Sequence, residues 1–192
     1  MATEEELLCS FDELENVMKK GSIVIALPQR QIDEVYPNVY VGGESSAKDK
    51  QRLKTLGITH VLNCAHGRKF FHVDTDQKFY DELKIKFLGL GVSDFPQSNI
   101  KQHFDTAFKF MDEALQHENG KVLVHCVQGY SRSATIAIAY LMVSRNMTAQ
   151  QAATTVREKR EIGPNKGFLQ QLCDLNEELH RKKEEGETKV AL

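Results

Sequence analysis

The spacing of hydrophobic positions changes period several times along the chain, and each change marks an element. Leu7, Phe11, Leu14 and Met18 recur at helical spacing after Thr3, with Glu6 completing a capping box, so the pattern predicts an amphipathic N-terminal helix packed on the rest of the protein. Short β-branched runs at Val39 to Val41, Ile58 to Asn63, Ile85 to Leu88 and Val122 to His125 predict strands. Helical periods run over Ala47 to Leu56, Ile100 to Gln116, Arg132 to Arg145, Ala149 to Lys159 and Phe168 to Arg181. Asn99 is placed to cap the second of these, Thr148 with Gln151 forms a capping box for the fourth, and Gly163-Pro164 separates the last two. The stretch ATIAIAYLMV is apolar nearly all round, which predicts a helix running through the interior. Strands alternating with helices imply an α/β fold. The chain divides into an N-terminal helix and linker (residues 1–27), a domain (28–180) and a charged tail (181–192) that lacks a hydrophobic period and is expected to fray.

Composition narrows the function classes. A chain of 192 residues, 41% hydrophobic and 27% charged, is ordinary for one globular domain. A net charge of -2 and a pI near 6.4 supply no overall positive field for nucleic acid or an anionic membrane, so an anionic substrate must be attracted locally. Cys9, Cys64, Cys126 and Cys173 are scattered, without the CxxC pairs of a zinc site or the density of a secreted disulfide scaffold, which fits reduced thiols in the cytosol or nucleus. The acidic start has no signal-peptide pattern, Ala2 stands where myristoylation needs glycine, and the longest apolar run, Ala134 to Val143, is far short of the roughly 20 residues that span a bilayer. A soluble protein is expected.

Chemistry concentrates in KVLVHCVQGYSRSATIAIAYLM, Lys121 to Met142, where a buried strand passes through a short loop into the central helix. In an open α/β sheet ligands bind beyond the carboxyl ends of the strands, and a helix N-terminus there offers unpaired N–H groups and positive dipole charge. Val127, Gln128, Gly129, Tyr130 and Ser131 separate Cys126 from Arg132 and can curl so that their amides point inward around a phosphate, with Gly129 free to take a backbone conformation other residues avoid. A cysteine at the centre of such amides, beside a guanidinium, ionises more readily than a free thiol and becomes a nucleophile. Arg132 is placed to grip two phosphoryl oxygens at once, Ser133 to donate to the cysteine sulfur, and His125 to orient the loop.

Each residue also has an ordinary reading, because a lone strand-end Cys is usually a small hydrophobe and a lone helical Arg a solvated charge. The joint pattern HCxxGxxRS between a strand and a helix, however, should arise by chance on the order of once in ten thousand chains of this length. The competing phosphate motif, GxxxxGK followed by Ser or Thr, is absent.

HCVQGYSRS resembles the signature of the cysteine-based protein tyrosine phosphatases. GITHVLNCA at 57–65, VLVHCVQGYSRSATIAIAYLM at 122–142 and REIGPNKGFLQQL at 160–172 are similar to the small atypical dual-specificity phosphatases, the VHR type above all. The resemblance covers roughly 170 residues by length and motif order. It implies a single catalytic domain with a mostly parallel, mixed sheet flanked by helices, a shallow pocket admitting phosphotyrosine and phosphoserine or phosphothreonine, and no metal or other cofactor. It also implies a general acid in a loop after an upstream strand, where LGLGVSDFPQSN offers Asp94; by itself a loop aspartate is usually a turn or cap residue. Asp74, Asp76 and Asp105 fit structural roles better. Gln128 departs from the VHR-type loop, which is acidic there, so specificity tied to that charge does not carry over.

Arg160, in EKREIGPN, occupies a position that the same type uses at the pocket rim for a second negative charge of the substrate; the ordinary reading is a cation at a helix C-terminus. Phe71 and Tyr130 are candidate apolar walls around a phosphorylated ring. The expected partner is a phosphorylated protein, doubly phosphorylated ones included, with no nucleic acid or membrane. Two other classes share the cradle: a phosphoprotein-binding module with weak turnover, and an enzyme on phosphoinositides or RNA ends.

Overall fold

A computed structural model of the chain describes residues 9–19 and 26–190, with side chains through residue 185. In chain order the elements are α1 (Phe11–Lys19), β1 (Ile32–Tyr36), β2 (Val39–Gly42), α2 (Glu44–Lys48), α3 (Lys50–Leu56), β3 (His60–Asn63), α4 (Gln77–Tyr80), β4 (Lys86–Gly89), α5 (Phe104–Leu115), β5 (Val122–His125), α6 (Arg132–Ser144), α7 (Ala149–Lys159) and α8 (Lys166–Val190), with 3-10 turns at Asp81–Leu83 and Lys101–His103. The strands form one mixed sheet in the order β1-β2-β5-β3-β4, in which β2, β5, β3 and β4 are mutually parallel and β1 pairs antiparallel with β2 at the edge. This is the α/β architecture expected from the sequence.

Alternation along the strands separates two apolar layers. Val39, Val41, Leu62, Val122 and Val124 face the larger core, built with α5, α6, α7 and α8. Tyr40, Val61 and Leu123 face the smaller one, closed by Ala47, Leu53 and Tyr80 from α2, α3 and α4. Helix α6 is buried from Arg132 to Met142, as its all-round apolar pattern requires. No helix among the described residues is long and apolar enough to cross a membrane.

Several boundaries differ from the sequence pattern for identifiable reasons. The single helix expected over Ala47 to Leu56 is two, broken at Asp49, whose side chain accepts from the Arg52 N–H and starts α3. β1 carries Asp33 and Glu34 within five residues, so its composition conceals a strand. Thr3 and Glu6 lie outside the described residues; α1 begins with a capping box in which the Glu13 N–H donates to Ser10 Oγ and the Ser10 N–H to Glu13 Oε2. The expected frayed tail is helical to Val190. Its charged residues Arg181 to Glu185 are good helix formers, and they extend a helix already anchored by buried Phe168, Leu172 and Cys173, so no new nucleus is needed.

Candidate active site

Because β2, β3, β4 and β5 are parallel, their carboxyl ends Gly42, Asn63, Gly89 and His125 lie along one edge of the sheet, and the segments after them converge there. The segment after β5 supplies Cys126 to Ser131, that after β4 supplies Asp94, and that after β3 supplies Phe71. Together they line a cavity of about 320 Å³ with Cys126 and Arg132 among its walls.

The shape of the loop follows from where its carbonyls go. Val127 O accepts from the Glu44 N–H at 2.8 Å, Gln128 O from Arg160 Nη2 at 3.1 Å, Gly129 O from Arg160 Nε at 2.7 Å, Tyr130 O from the Gly163 N–H at 3.0 Å, and Ser131 O from the Thr135 N–H and hydroxyl, both at 2.9 Å. With every carbonyl from Val127 to Ser131 drawn to the surrounding structure, the amides are turned toward the centre of the curl. Gly129 makes the curl possible: its φ is +65°, and a Cβ there would stand 2.4 Å from the Gly42 carbonyl carbon.

Cys126 sits at the floor, fully buried. Burial alone would push its thiol up, and this is the largest single influence. The Arg132 charge, the Ser133 hydroxyl and the backbone N–H groups of Ser133 and Tyr130 together outweigh it, so the thiol is more acidic than an ordinary cysteine. Ser133 Oγ lies 3.3 Å from the sulfur. Neighbouring Cys64, just past β3, is driven the other way, mainly by burial and then by Cys126, and stays protonated.

Arg132 is held from outside by two carbonyls: Nη1 donates to Phe71 O and Val92 O, each at 3.0 Å. Phe71 has φ +63°, a strained conformation for an aromatic residue, in the segment that brings its carbonyl to the guanidinium while its ring stays exposed. Arg132 Nε is buried without a hydrogen-bond partner, 3.4 Å from Asp94 Oδ2 in an ion-pair contact. A buried guanidinium N–H without a hydrogen bond is costly, and an anion in the cavity is the natural acceptor for it.

Asp94 is brought to the loop as expected. Its Oδ1 accepts from Ser131 Oγ at 2.7 Å and from Asn165 Nδ2 at 2.8 Å, which ties the acid loop to the cradle and leaves Oδ2 toward Arg132. His125 is buried, and burial lowers its pKa to about 4, so the ring is neutral at pH 7. Its Nδ1 lies 3.3 Å from the Cys126 carbonyl, which can only accept, so Nδ1 carries the hydrogen and the ring orients the loop. Tyr130 lines the cavity and rests on Gly163, where a Cβ would come within 2.4 Å of its hydroxyl oxygen.

One expectation is corrected. Arg160 does not stand at the rim: its side chain is 1% exposed, Nη1 pairs with Asp33 Oδ2 at 2.7 Å, and Nε and Nη2 hold the two loop carbonyls. At Arg160 the backbone has left α7 for an extended conformation (φ −144°, ψ 139°), which carries the side chain beneath the loop and not out from a helix end. Asp74 pairs with Arg68 and Asp76 caps α4, as structural residues would. Sequence reading missed Asp33, hidden in β1, and Asn165, which caps α8 by accepting from the Phe168 N–H at 3.1 Å. It also missed the Phe71 and Val92 carbonyls, for which no sequence signal exists. Among the described residues no group of three or more His, Cys, Asp or Glu side chains is placed to hold a metal ion.

Comparison with known proteins agrees with this geometry. The dual specificity phosphatase catalytic domain family matches residues 39–178. Human DUSP28 superposes with a TM-score of 0.69 at 26% identity over 81% of this chain and 99% of that one. DUSP15 gives 0.64 at 29% identity over 80% and 95%. A human tyrosine phosphatase-like serine/threonine/tyrosine-interacting protein gives 0.63 at 36% identity over 76% and 95%. With a matching family domain that spans most of the chain and superposition on dual-specificity phosphatase structures over most of their length, the chain belongs to the cysteine-based protein tyrosine phosphatase superfamily, as an atypical dual-specificity phosphatase of the VHR-like kind.

Proposed function

We propose that this phosphatase hydrolyses phosphotyrosine and phosphoserine or phosphothreonine in proteins through a phosphocysteine intermediate. The observation that carries the reading is the joint placement of an acidified Cys126 sulfur at the centre of inward amides and of the unpartnered Arg132 Nε beside Asp94. In the first step the Cys126 thiolate attacks phosphorus in line, forming the S–P bond as the P–O bond to the substrate breaks, while Asp94 gives its proton to the departing oxygen. In the second, ionised Asp94 takes a proton from water as that water attacks phosphorus, and the S–P bond breaks to return the thiolate, steadied by Ser133. Arg132 and the loop amides carry the charge on the phosphoryl oxygens throughout.

The cavity supports a side-chain substrate. Phe70, Phe71, Phe95 and Tyr130 line it, and the three phenylalanines are more than half exposed, so a phosphorylated ring reaching Cys126 would lie among aromatic surfaces. For a doubly phosphorylated substrate, Arg160 is buried and already engaged; Arg30 also pairs with Asp33, through Nε at 2.8 Å, but its side chain is 75% exposed in an adjoining cavity that shares Val127 and Gln128 with the first, so it is the cation able to turn to a second phosphate. Action in the cytosol or nucleus remains the reading that the scattered cysteines favour.

Turnover of a phosphotyrosine peptide, a phosphothreonine peptide and an inositol phosphate by wild type and Cys126→Ser tests the proposal. Wild type should hydrolyse both peptides well and the inositol phosphate poorly, and Cys126→Ser should bind the peptides without turnover. Binding without hydrolysis by wild type would make the protein a phosphoprotein-binding module. Preference for the inositol phosphate would move it to non-protein substrates.

A further inference from the structure

Two cysteines that the phosphatase reaction does not use meet where α1 packs against α8. Cys9 precedes α1, Cys173 lies in α8, and their sulfurs are 3.3 Å apart in the apolar core although 164 positions separate them in sequence. A disulfide needs about 2.05 Å, so side-chain rotation with little backbone movement would close the gap. One thiol already donates to the other. Cys9 is held well above the ordinary thiol range, first by its hydrogen bond to Cys173 and then by burial, and Cys173 is drawn down by the same bond. Glu13 and Glu177 disfavour a thiolate at both sulfurs, and Asp174 does so at Cys173.

We propose that Cys9 and Cys173 are a second oxidation site, at which a peroxide converts the thiol pair into a disulfide that fastens α1 to α8. One thiolate sulfur attacks a peroxide oxygen and breaks the O–O bond, giving a sulfenic acid and, after protonation, water. The second sulfur attacks the sulfenic sulfur, the S–S bond forms, and the hydroxyl leaves as a second water. Two thiols have lost two electrons to one hydrogen peroxide. Access comes through α1, a nine-residue helix of a length that is marginal without its packing and therefore able to open locally.

The consequence reaches the catalytic loop through covalent and hydrogen-bonded neighbours. α1 packs on α7 and α8, and Arg157 Nε of α7 donates to the Met18 carbonyl of α1 at 3.0 Å. Three positions on, Arg160 holds the Gln128 and Gly129 carbonyls. Fastening α1 therefore secures the helix from which the cradle's support emerges, at a time when oxidant has also reached Cys126.

The test uses the full chain as Cys126→Ser, so that the catalytic thiol takes no part. After hydrogen peroxide treatment, peptide mapping without reductant should find a Cys9–Cys173 linked peptide, and the Tm should rise by roughly 5–10 °C, a gain expected for closing so long a loop and reversed by a thiol reductant. Adding Cys9→Ala or, separately, Cys173→Ser should abolish both effects. Consumption of the thiols without the linked peptide, or a linked peptide with an equal or lower Tm, would overturn the proposal.

Discussion

At the scale of single residues, the acid illustrates what geometry adds to a motif. SDFP marks a loop aspartate and nothing more; the resemblance to a phosphatase family singles out Asp94, and the structure shows Ser131 and Asn165 holding one carboxyl oxygen so that the other lies by Arg132. Oδ2 is then the oxygen placed to carry the proton. Asp94→Asn keeps the shape and removes the acid, so kcat/KM for a phosphotyrosine peptide should fall roughly 100-fold and the alkaline limb of its pH profile should flatten. An activated aryl phosphate should suffer less, because its leaving group needs little protonation. The acidic limb belongs to formation of the Cys126 thiolate and, with that thiol drawn down, should persist in the variant with its midpoint below that of an ordinary cysteine. Normal tyrosine-phosphate turnover with an intact alkaline limb would transfer the acid's role to another residue.

At the scale of elements, the segment from β5 through the loop into α6 was legible because its chemistry is contiguous: an apolar strand, a glycine, and a helix with no polar face below its first turn. The parts that support it were not, because they arrive from distant positions through backbone atoms. Arg160 is the clearest case. In sequence it is a helix-end cation or a rim residue; in the fold it is a buried brace between Asp33 and two carbonyls. Arg160→Ala should destabilise the protein by about 2 kcal/mol, since it removes one of the two cations on buried Asp33 and leaves the Gln128 and Gly129 carbonyls without their donor. It should also lower kcat/KM by the same factor for singly and doubly phosphorylated peptides, measured alongside a urea melt. A selective loss for the doubly phosphorylated peptide would restore the substrate-binding role.

At the scale of the whole molecule, function follows from parallel strands delivering their carboxyl ends to one edge, so that a cradle, an acid loop and an aromatic wall distant in sequence share one cavity. Alternating strand and helix patterns foretold the layers, and Val122 to His125 and Ala149 to Lys159 have the expected bounds. What periodicity could not reveal is which loops meet, since loops carry no period; that came from family resemblance for Asp94 and from the fold alone for Asp33 and Asn165. Both steps of the reaction depend on transfer of the phosphoryl group to Cys126. Rapid acid quench of the enzyme turning over a phosphotyrosine peptide, followed by peptide mapping by mass spectrometry, tests it most directly, with Ser133→Ala used to slow breakdown of the intermediate. One added phosphoryl group on the peptide containing Cys126, more abundant in Ser133→Ala and absent in Cys126→Ser, is the predicted result; sustained turnover by Ser133→Ala with no phosphate on Cys126 at any quench time would contradict it.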